Sequence, residues 1–332
     1  MEESSQLSID WSSFYAGGAE IWQYIKDTTV QYKLDEKVKF NSRVTETIWN
    51  EETGKWNIKI QSEGRTITDS ADILINGSGF LNKWRWPSIP GLESFQGKLL
   101  HSAAWDSQLP LEGKRIALIG NGSSAIQILP QIQMTASNVT TYIRSPTWIS
   151  SNFVAEHARD GRNFKYSEEE KKEFRENPAK LKTLRKEIEH GFNVAHYSLL
   201  SESPAQAAIY EIFKKQMTDR LNGDPELCAK LIPNWRVGCR RLTPGDGYLE
   251  ALQEKNVKIQ FNEIAEITPT GIRTSDGTEE FDIIICATGK DEYKDSWCIV
   301  ISNYLCSRLR CLLLTVLEVG GQKWKTVGGH VG

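Results

Sequence analysis

One stretch restricts the fold more than any other. It runs from Lys114-Arg115 through the apolar run Ile116-Ala117-Leu118-Ile119 to the turn Gly120-Asn121-Gly122-Ser123-Ser124-Ala125, then Ile126, Gln127, Ile128 and Leu129. Four apolar residues without a polar interruption predict a buried strand, and the spacing after the glycines predicts a helix. Strand, G-x-G-x-x-A, helix is the order in which such glycines carry meaning. The first glycine permits the tight turn, the second lets a pyrophosphate approach the backbone, and the small third residue lets helix and strand pack closely. The helix start then offers free N–H groups and a positive dipole end to the phosphates. A glycine-rich turn can also be structural only, but with strand and helix on either side nucleotide binding is the better reading. The residues assigned to the cofactor are Gly120, Asn121, Gly122, Ser123, Ser124, Ala125, Ile126 and Gln127.

The next strand of such a unit, Val139-Thr140-Thr141-Tyr142-Ile143-Arg144-Ser145, bears on which nucleotide is bound. About 20 residues past the glycines an NAD enzyme offers a carboxylate to the ribose 2′-hydroxyl. Here the strand end, Ile143 and Arg144, carries a guanidinium and no acid. An acid would repel a 2′-phosphate, whereas a guanidinium binds one bidentately. Arginine at a strand end is common on any surface; at this position it selects NADPH.

Taken in order, the chain repeats a pattern. Ala19, Trp22 and Ile25 predict a helix, and Val38 to Asn41 with Val44 a short strand. A hairpin follows at Glu46–Trp49 and Trp56–Ile60, and Asp72-Ile73-Leu74-Ile75-Asn76 reads as a buried strand ending in the turn Gly77-Ser78-Gly79. About 210 positions later come a strand at Val257–Phe261, a hairpin around Pro269–Gly271, and Asp282-Ile283-Ile284-Ile285-Cys286-Ala287-Thr288-Gly289. Two unrelated β segments could look this way. Two dinucleotide-type units, each closed by its own last strand, account better for a fingerprint lying between the copies. The first closing strand has no fingerprint upstream, because strand plus G-x-G-x-x-G needs about 30 residues that the stretch from Met1 to Asp72 does not supply in that pattern. Between the halves of the second unit, Glu168 to Phe192 is dense in Lys and Glu with Phe174, Leu181, Leu184 and Ile188 at helical spacing. Ala205 to Leu221 continues the helical pattern.

Composition excludes several classes. With 332 residues, 39% of them hydrophobic and 25% charged, the chain has the make-up of a soluble globular protein with room for two domains. A net charge of −3 makes no case for nucleic acid or an anionic membrane. The six cysteines form no C-x-x-C pair or metal-like cluster and read as reduced thiols in a cytoplasmic protein. No metal site, no integral membrane segment and no secretory signal is expected.

Upstream of the fingerprint, Phe95, Gly97, His101 and Trp105 stand in the spacing F-x-G-x-x-x-H-x-x-x-W, followed by Asp106. Singly these are ordinary core residues. Together, and beside the glycines, they resemble the signature of Baeyer–Villiger monooxygenases and related class B flavin-dependent monooxygenases, over about Ile9 to Asp291. The resemblance implies an α/β, Rossmann-like flavoprotein fold with two dinucleotide-binding domains. It implies FAD and NADPH as cofactors, and a small-molecule ketone and O2 as substrates. It divides the chain into a partial FAD-binding domain (1–94), an NADPH-binding domain (95–150 and 238–290), a helical insertion (151–237) and an atypical tail (291–332). In the family a basic pair sits where this chain has Gly238-Cys239-Arg240-Arg241-Leu242-Thr243-Pro244; by that likeness Arg240 meets the 2′-phosphate and Arg241 is catalytic, stabilising negative charge during oxygenation. His101 and Trp105 are expected to couple domain motion to catalysis. The segments GCRRLTPGDGYLEAL and YIRSPTWIS look most like fungal members acting on polyketide-type metabolites. Oxygenation of nitrogen or sulfur, and a non-catalytic NADPH-binding remnant, are the alternatives. Members begin with a fingerprint unit for FAD, so the chain is expected to lack its start; the run from Trp297 to Gly332 reads as a divergent or frame-shifted terminus.

Overall fold

The computed structural model describes residues 10–77, 84–200, 202–240 and 242–289. The turn around Ser78–Gly79, Arg241 and the tail 291–332 lie outside the described residues. Two compact units result: residues 10–29 with 86–289, and the segment 30–85. The first helix, α1 (Gly18–Gln31), forms where the apolar spacing predicts, with Ile21, Trp22 and Ile25 exposed.

In the smaller unit three strands, β1 (Ser42–Asn50), β2 (Lys55–Ser62) and β3 (Arg65–Ala71), form an antiparallel sheet in that order. Trp49 opposes Trp56 across the first hairpin, their rings 5.6 Å apart. The sequence reading missed β3, whose polar run RTITDSA lacks alternation. It forms because Glu63 and Gly64 both take positive φ (51° and 75°), the turn that suits the strand twist. Two expectations need correction. Val38–Asn41 is not a strand, and Val38 and Phe40 are exposed. Nor is Asp72–Asn76 a buried strand: it is irregular, with Ile73 and Ile75 77% and 74% exposed. No strand among the described residues offers it a ladder, and an apolar run without one stays unpaired.

The larger unit is built on a five-stranded parallel sheet. Its strands are β4 (Lys98–His101), β5 (Arg115–Ile119), β6 (Asn138–Tyr142), β9 (Val257–Gln260) and β13 (Ile283–Cys286), in the order β4-β13-β5-β6-β9. Ile116–Ile119 and Ile283–Cys286 are direct parallel neighbours, as the sequence requires of one dinucleotide-type unit. Alternation sorts their side chains by face. Ile116, Leu118, Ile283 and Ile285 face a layer containing Ile126 and Leu129 of α2 (Ser123–Gln133), Phe213 and Met217 of α5 (Pro204–Arg220) and Leu249 of α7 (Tyr248–Ala251). Ala117, Ile119, Ile284 and Cys286 face Ile267 and Ile272 of a small antiparallel sheet, β10 (Glu266–Ile267), β11 (Gly271–Thr274) and β12 (Gly277–Glu280).

The insertion is helical as expected, but the Glu168–Phe192 run is two helices. They are α3 (Glu168–Glu176), opened by a capping box between Ser167 and Glu170, and α4 (Pro178–Ala195). Asn177 caps the second and Pro178, which has no N–H to donate, ends the first. A shorter α6 (Pro225–Leu231) follows α5. Residues 10–29 pack onto the insertion: Tyr15 N–H donates to Asn163, Phe14 stacks on Phe164, and Asp10 pairs with Arg175. The boundary at residue 94 therefore does not follow the packing of these first residues. No helix among the described residues is long and apolar enough to cross a membrane.

Candidate cofactor-binding site

At the carboxyl end of β5 the chain must turn sharply under β13. Gly120 has φ of +116°, and a Cβ there would lie 2.4 Å from the Ala287 carbonyl oxygen, so only glycine fits. Gly122 has ordinary extended backbone but faces open space, with nothing within 4 Å of where a Cβ would be. Its value is that a ligand can approach the chain there. Helix α2 starts without a side-chain cap, and its first helical bond runs from Ile126 N–H to the Gly122 carbonyl at 3.0 Å. The N–H groups of the preceding turn are thus presented to solvent or to a phosphate. Ala125 and Ile126 are buried and contribute packing, and the Gln127 amide donates back to the Ser123 carbonyl at 2.9 Å.

Two further segments are tied to this loop. The Asn121 side-chain amide donates to the Ser145 carbonyl at 2.7 Å and to Thr147 Oγ1 at 3.2 Å. That binds the loop to the stretch carrying Arg144, while Ile143 beside it is buried. The Ser123 and Thr243 hydroxyls are 2.8 Å apart, binding the helix start to the stretch carrying Arg240. These two stretches are also joined to each other. Strand β7 (Ile149–Ser150) pairs in parallel with β8 (Thr243–Pro244), and the Trp148 indole N–H donates to the Trp235 carbonyl at 3.0 Å. Glycine loop, Arg144 stretch and Arg240 stretch therefore form a closed triangle. Arg144 and Arg240 are both exposed, and the Arg240 guanidinium lies 4.7 Å from the centroid of the Trp235 ring.

The insertion braces the same loop. Arg220, the last residue of α5, pairs with both carboxylate oxygens of Glu250 at 2.7 and 2.8 Å and donates to the Gly245 carbonyl at 2.6 Å. Burial pushes the Glu250 carboxyl up, but the hydrogen bonds and charge of Arg220 outweigh it and hold the group below its ordinary range. Sequence reasoning singled out the glycines and both arginines and did not single out Thr243, Trp148, Trp235 or Arg220, which the structure ties to them. Ser, Thr and Trp beside Gly and Pro were the available signal, and nothing in a sequence pairs position 123 with 243. An open cleft of about 680 Å3 between His157 and α4 shares no lining residue with the triangle and has no part in it.

The F-x-G-x-x-x-H-x-x-x-W residues lie at the sheet edge. Phe95 is buried, and a side chain at Gly97 would strike the Asp282 carbonyl. His101 closes β4, is 1% exposed, and accepts the Ala103 N–H at Nδ1 (3.1 Å). Trp86 meets its ring edge-on at 5.8 Å. Trp105 is exposed.

Fold and site define an α/β protein with a glycine turn and an uncapped helix start at the carboxyl end of a central parallel strand. The family model for flavin-binding monooxygenase-like proteins matches residues 7–207, and the chain belongs to that family. An Aspergillus terreus protein, the FAD-binding monooxygenase tazF, is 50% identical over 282 residues, which is 84% of this chain and 50% of that protein. A Baeyer–Villiger monooxygenase of Streptomyces coelicolor is 32% identical over 281 residues, covering 84% of this chain and 51% of its own length. A crystal structure of OTEMO in complex with FAD and NADP superposes with a TM-score of 0.69, covering 85% of this chain and 58% of that one at 24% identity. This last likeness shows a shared fold over the matched part. The chain spans about half the length of the curated relatives it matches.

Proposed function

We propose that this chain carries the NADPH-binding part of an FAD- and NADPH-dependent monooxygenase that inserts one atom of O2 into a ketone, giving an ester or lactone. The observation that carries the reading is the triangle, which ties the stretches carrying two exposed arginines to an uncapped, glycine-opened helix start. In this reading the backbone N–H groups from Gly122 to Ala125 take the pyrophosphate, and Arg144 and Arg240 take the 2′-phosphate. When bound, NADPH supplies the hydride and FAD the oxygen-activating chemistry. Arg241, next to the described Arg240, supplies a fixed positive charge where oxygenation develops a negative one.

Residues 95–150 and 238–290 form the NADPH-binding part and 151–237 the helical cover. Residues 30–94 belong to the FAD portion, although the described residues hold no second glycine cradle for its pyrophosphate. The Baeyer–Villiger name of the Streptomyces relative supports a ketone; a polyketide-type metabolite as that ketone is our reading of the segments GCRRLTPGDGYLEAL and YIRSPTWIS. We place the protein in the cytoplasm, in keeping with three free cysteines among the described residues.

The test is a pair of titrations with NADPH and NADH. Arg144→Ala is expected to weaken NADPH roughly ten- to a hundredfold, the loss of a charge-assisted contact, and NADH little. Equal losses would remove the assignment. Arg241→Ala is expected to leave NADPH binding intact and to lower ketone-dependent oxygenation by the whole protein on the order of a hundredfold.

A further inference from the structure

The chain before Gly238 and the chain after Leu242 are held by different kinds of contact. At one end the buried Gln206 of α5 donates to the Val237 carbonyl at 3.0 Å. That anchor belongs to the insertion and touches nothing that would meet a cofactor. At the other end stands Thr243, 5% exposed, whose hydroxyl meets Ser123 Oγ at 2.8 Å. Ser123 is the first residue of α2 and part of the phosphate cradle. Between the anchors Gly238 takes φ of +89°, and Cys239 and Arg240 are exposed. Arg240 lies three residues from Thr243 in the sequence, with its guanidinium 4.7 Å from the Trp235 ring centroid, and the Thr243 end is the one tied to the cradle.

We propose that Thr243 is the positioning residue for nicotinamide selectivity: its hydroxyl clasps Ser123 and thereby fixes the distance between Arg240 and the phosphate cradle. The inference rests on the NADPH reading above. A valine at 243 would fill the same space and keep the β7–β8 pairing, yet it could not hold the clasp. A dinucleotide presents its pyrophosphate and its 2′-phosphate at a set separation. A cradle and an arginine clamped to each other match that separation before the ligand arrives, and binding loses less entropy as a result. Ser123 and Thr243 are far apart in sequence, so no local preference accounts for their pairing. A mostly buried hydroxyl that lacked it would pay for its desolvation.

The experiment measures dissociation constants of NADP+ and NAD+ by calorimetry on the full chain and its variants, without turnover. Thr243→Val is expected to weaken NADP+ by about five- to tenfold, the scale of one net hydrogen bond, while NAD+ changes less than twofold. Thr243→Ser, which keeps the hydroxyl, is expected to restore the preference. Ser123→Ala removes the other half of the clasp and provides a second reading should Thr243→Val fail to fold. The double variant is expected to be no weaker for NADP+ than the worse single one. In an Arg240→Ala background, Thr243→Val should no longer alter the NADP+ to NAD+ ratio. Equal losses for both nucleotides, no loss, or additive losses in the double variant would overturn the clasp while Arg240→Ala still collapses the preference. If Arg240→Ala leaves the preference untouched while Arg144→Ala abolishes it, Arg240 has no part in the 2′-phosphate site and the clasp falls; if neither variant changes the preference, the NADPH reading itself falls, and the clasp with it.

Discussion

Two segments of nearly the same composition meet opposite fates in this molecule. Asp72-Ile73-Leu74-Ile75-Asn76 follows the antiparallel sheet β1–β3, and Asp282-Ile283-Ile284-Ile285-Cys286 follows the antiparallel sheet β10–β12. The second is β13, hydrogen-bonded on one side to β4 and on the other to β5, with all four of its residues buried. The first is irregular, and its isoleucines are largely exposed. Burial is thus not a property of an apolar run. A central parallel strand is stable because both edges of its backbone are paired and both faces are covered.

The largest test of that contrast places a charge in each segment. Ile284 is completely buried, and Ile284→Asp is expected to cost about 4 kcal/mol or more, enough to unfold a domain of ordinary stability. Ile75→Asp is expected to change stability by less than about 0.5 kcal/mol, as exposed substitutions do. Denaturant midpoints measure both. A large cost at Ile75 would show that this segment is covered in solution.

The glycines near the two segments separate them less strongly. Gly120→Ala must force a Cβ onto the Ala287 carbonyl at positive φ and is expected to cost about 1–3 kcal/mol and to abolish dinucleotide binding. Gly77 has nothing within 4 Å of where a Cβ would stand, and Gly77→Ala is expected to be neutral or to stabilise by about 0.4–1 kcal/mol through the unfolded chain. Thermal melts and a nucleotide titration distinguish these outcomes.

The same contrast explains what the sequence could disclose. The strand-turn-helix at Ile116–Leu129 was legible because a local pattern and a local turn suffice to build it, and the same holds for the helices at 18–31 and 204–220. The break at Asn177-Pro178 was legible in principle, since proline cannot continue a helix's hydrogen bonds. By contrast β3 is nearly all polar and exists because of a turn with two positive φ values, which Glu63-Gly64 signals only weakly. Segment 72–76 was misread because its burial depends on neighbours that its own residues do not encode. At the site, Arg144 was singled out by its position at a strand end, and Arg240 only through the family resemblance. The contacts that join them, Trp148 to Trp235 and Ser123 to Thr243, cross about 90 to 120 residues and leave no periodicity behind.

The smallest expected effect concerns the acid that opens each segment. Asp282 accepts from the Arg115 guanidinium at 3.1 Å and from the Arg115 backbone N–H at 2.8 Å, and these bonds hold its carboxyl below the usual range. Asp72 pairs with Lys55 at 2.9 Å, which also lowers its carboxyl, but Asp72 itself is exposed. In the unfolded chain each acid takes up its proton near its ordinary value of 3.8. A folded carboxyl held lower contributes stability that is present in full above that value and is lost as the pH falls through the folded one. For Asp282, screening by water limits the contribution to about 0.5–1 kcal/mol. Asp282→Asn is therefore expected to lower the melting temperature slightly at pH 7, and the gap from the parent should close as the pH drops below about 4. Asp72→Asn is expected to shift nothing measurable at either pH, because an ion pair in open water gains little over hydration and is weakened further by salt. A gap at position 282 that persisted at low pH would mean the carboxylate's charge is not its cause. The backbone of Arg115 at the start of β5 would then be held by the shape of the turn before β13 rather than by the ion pair across it.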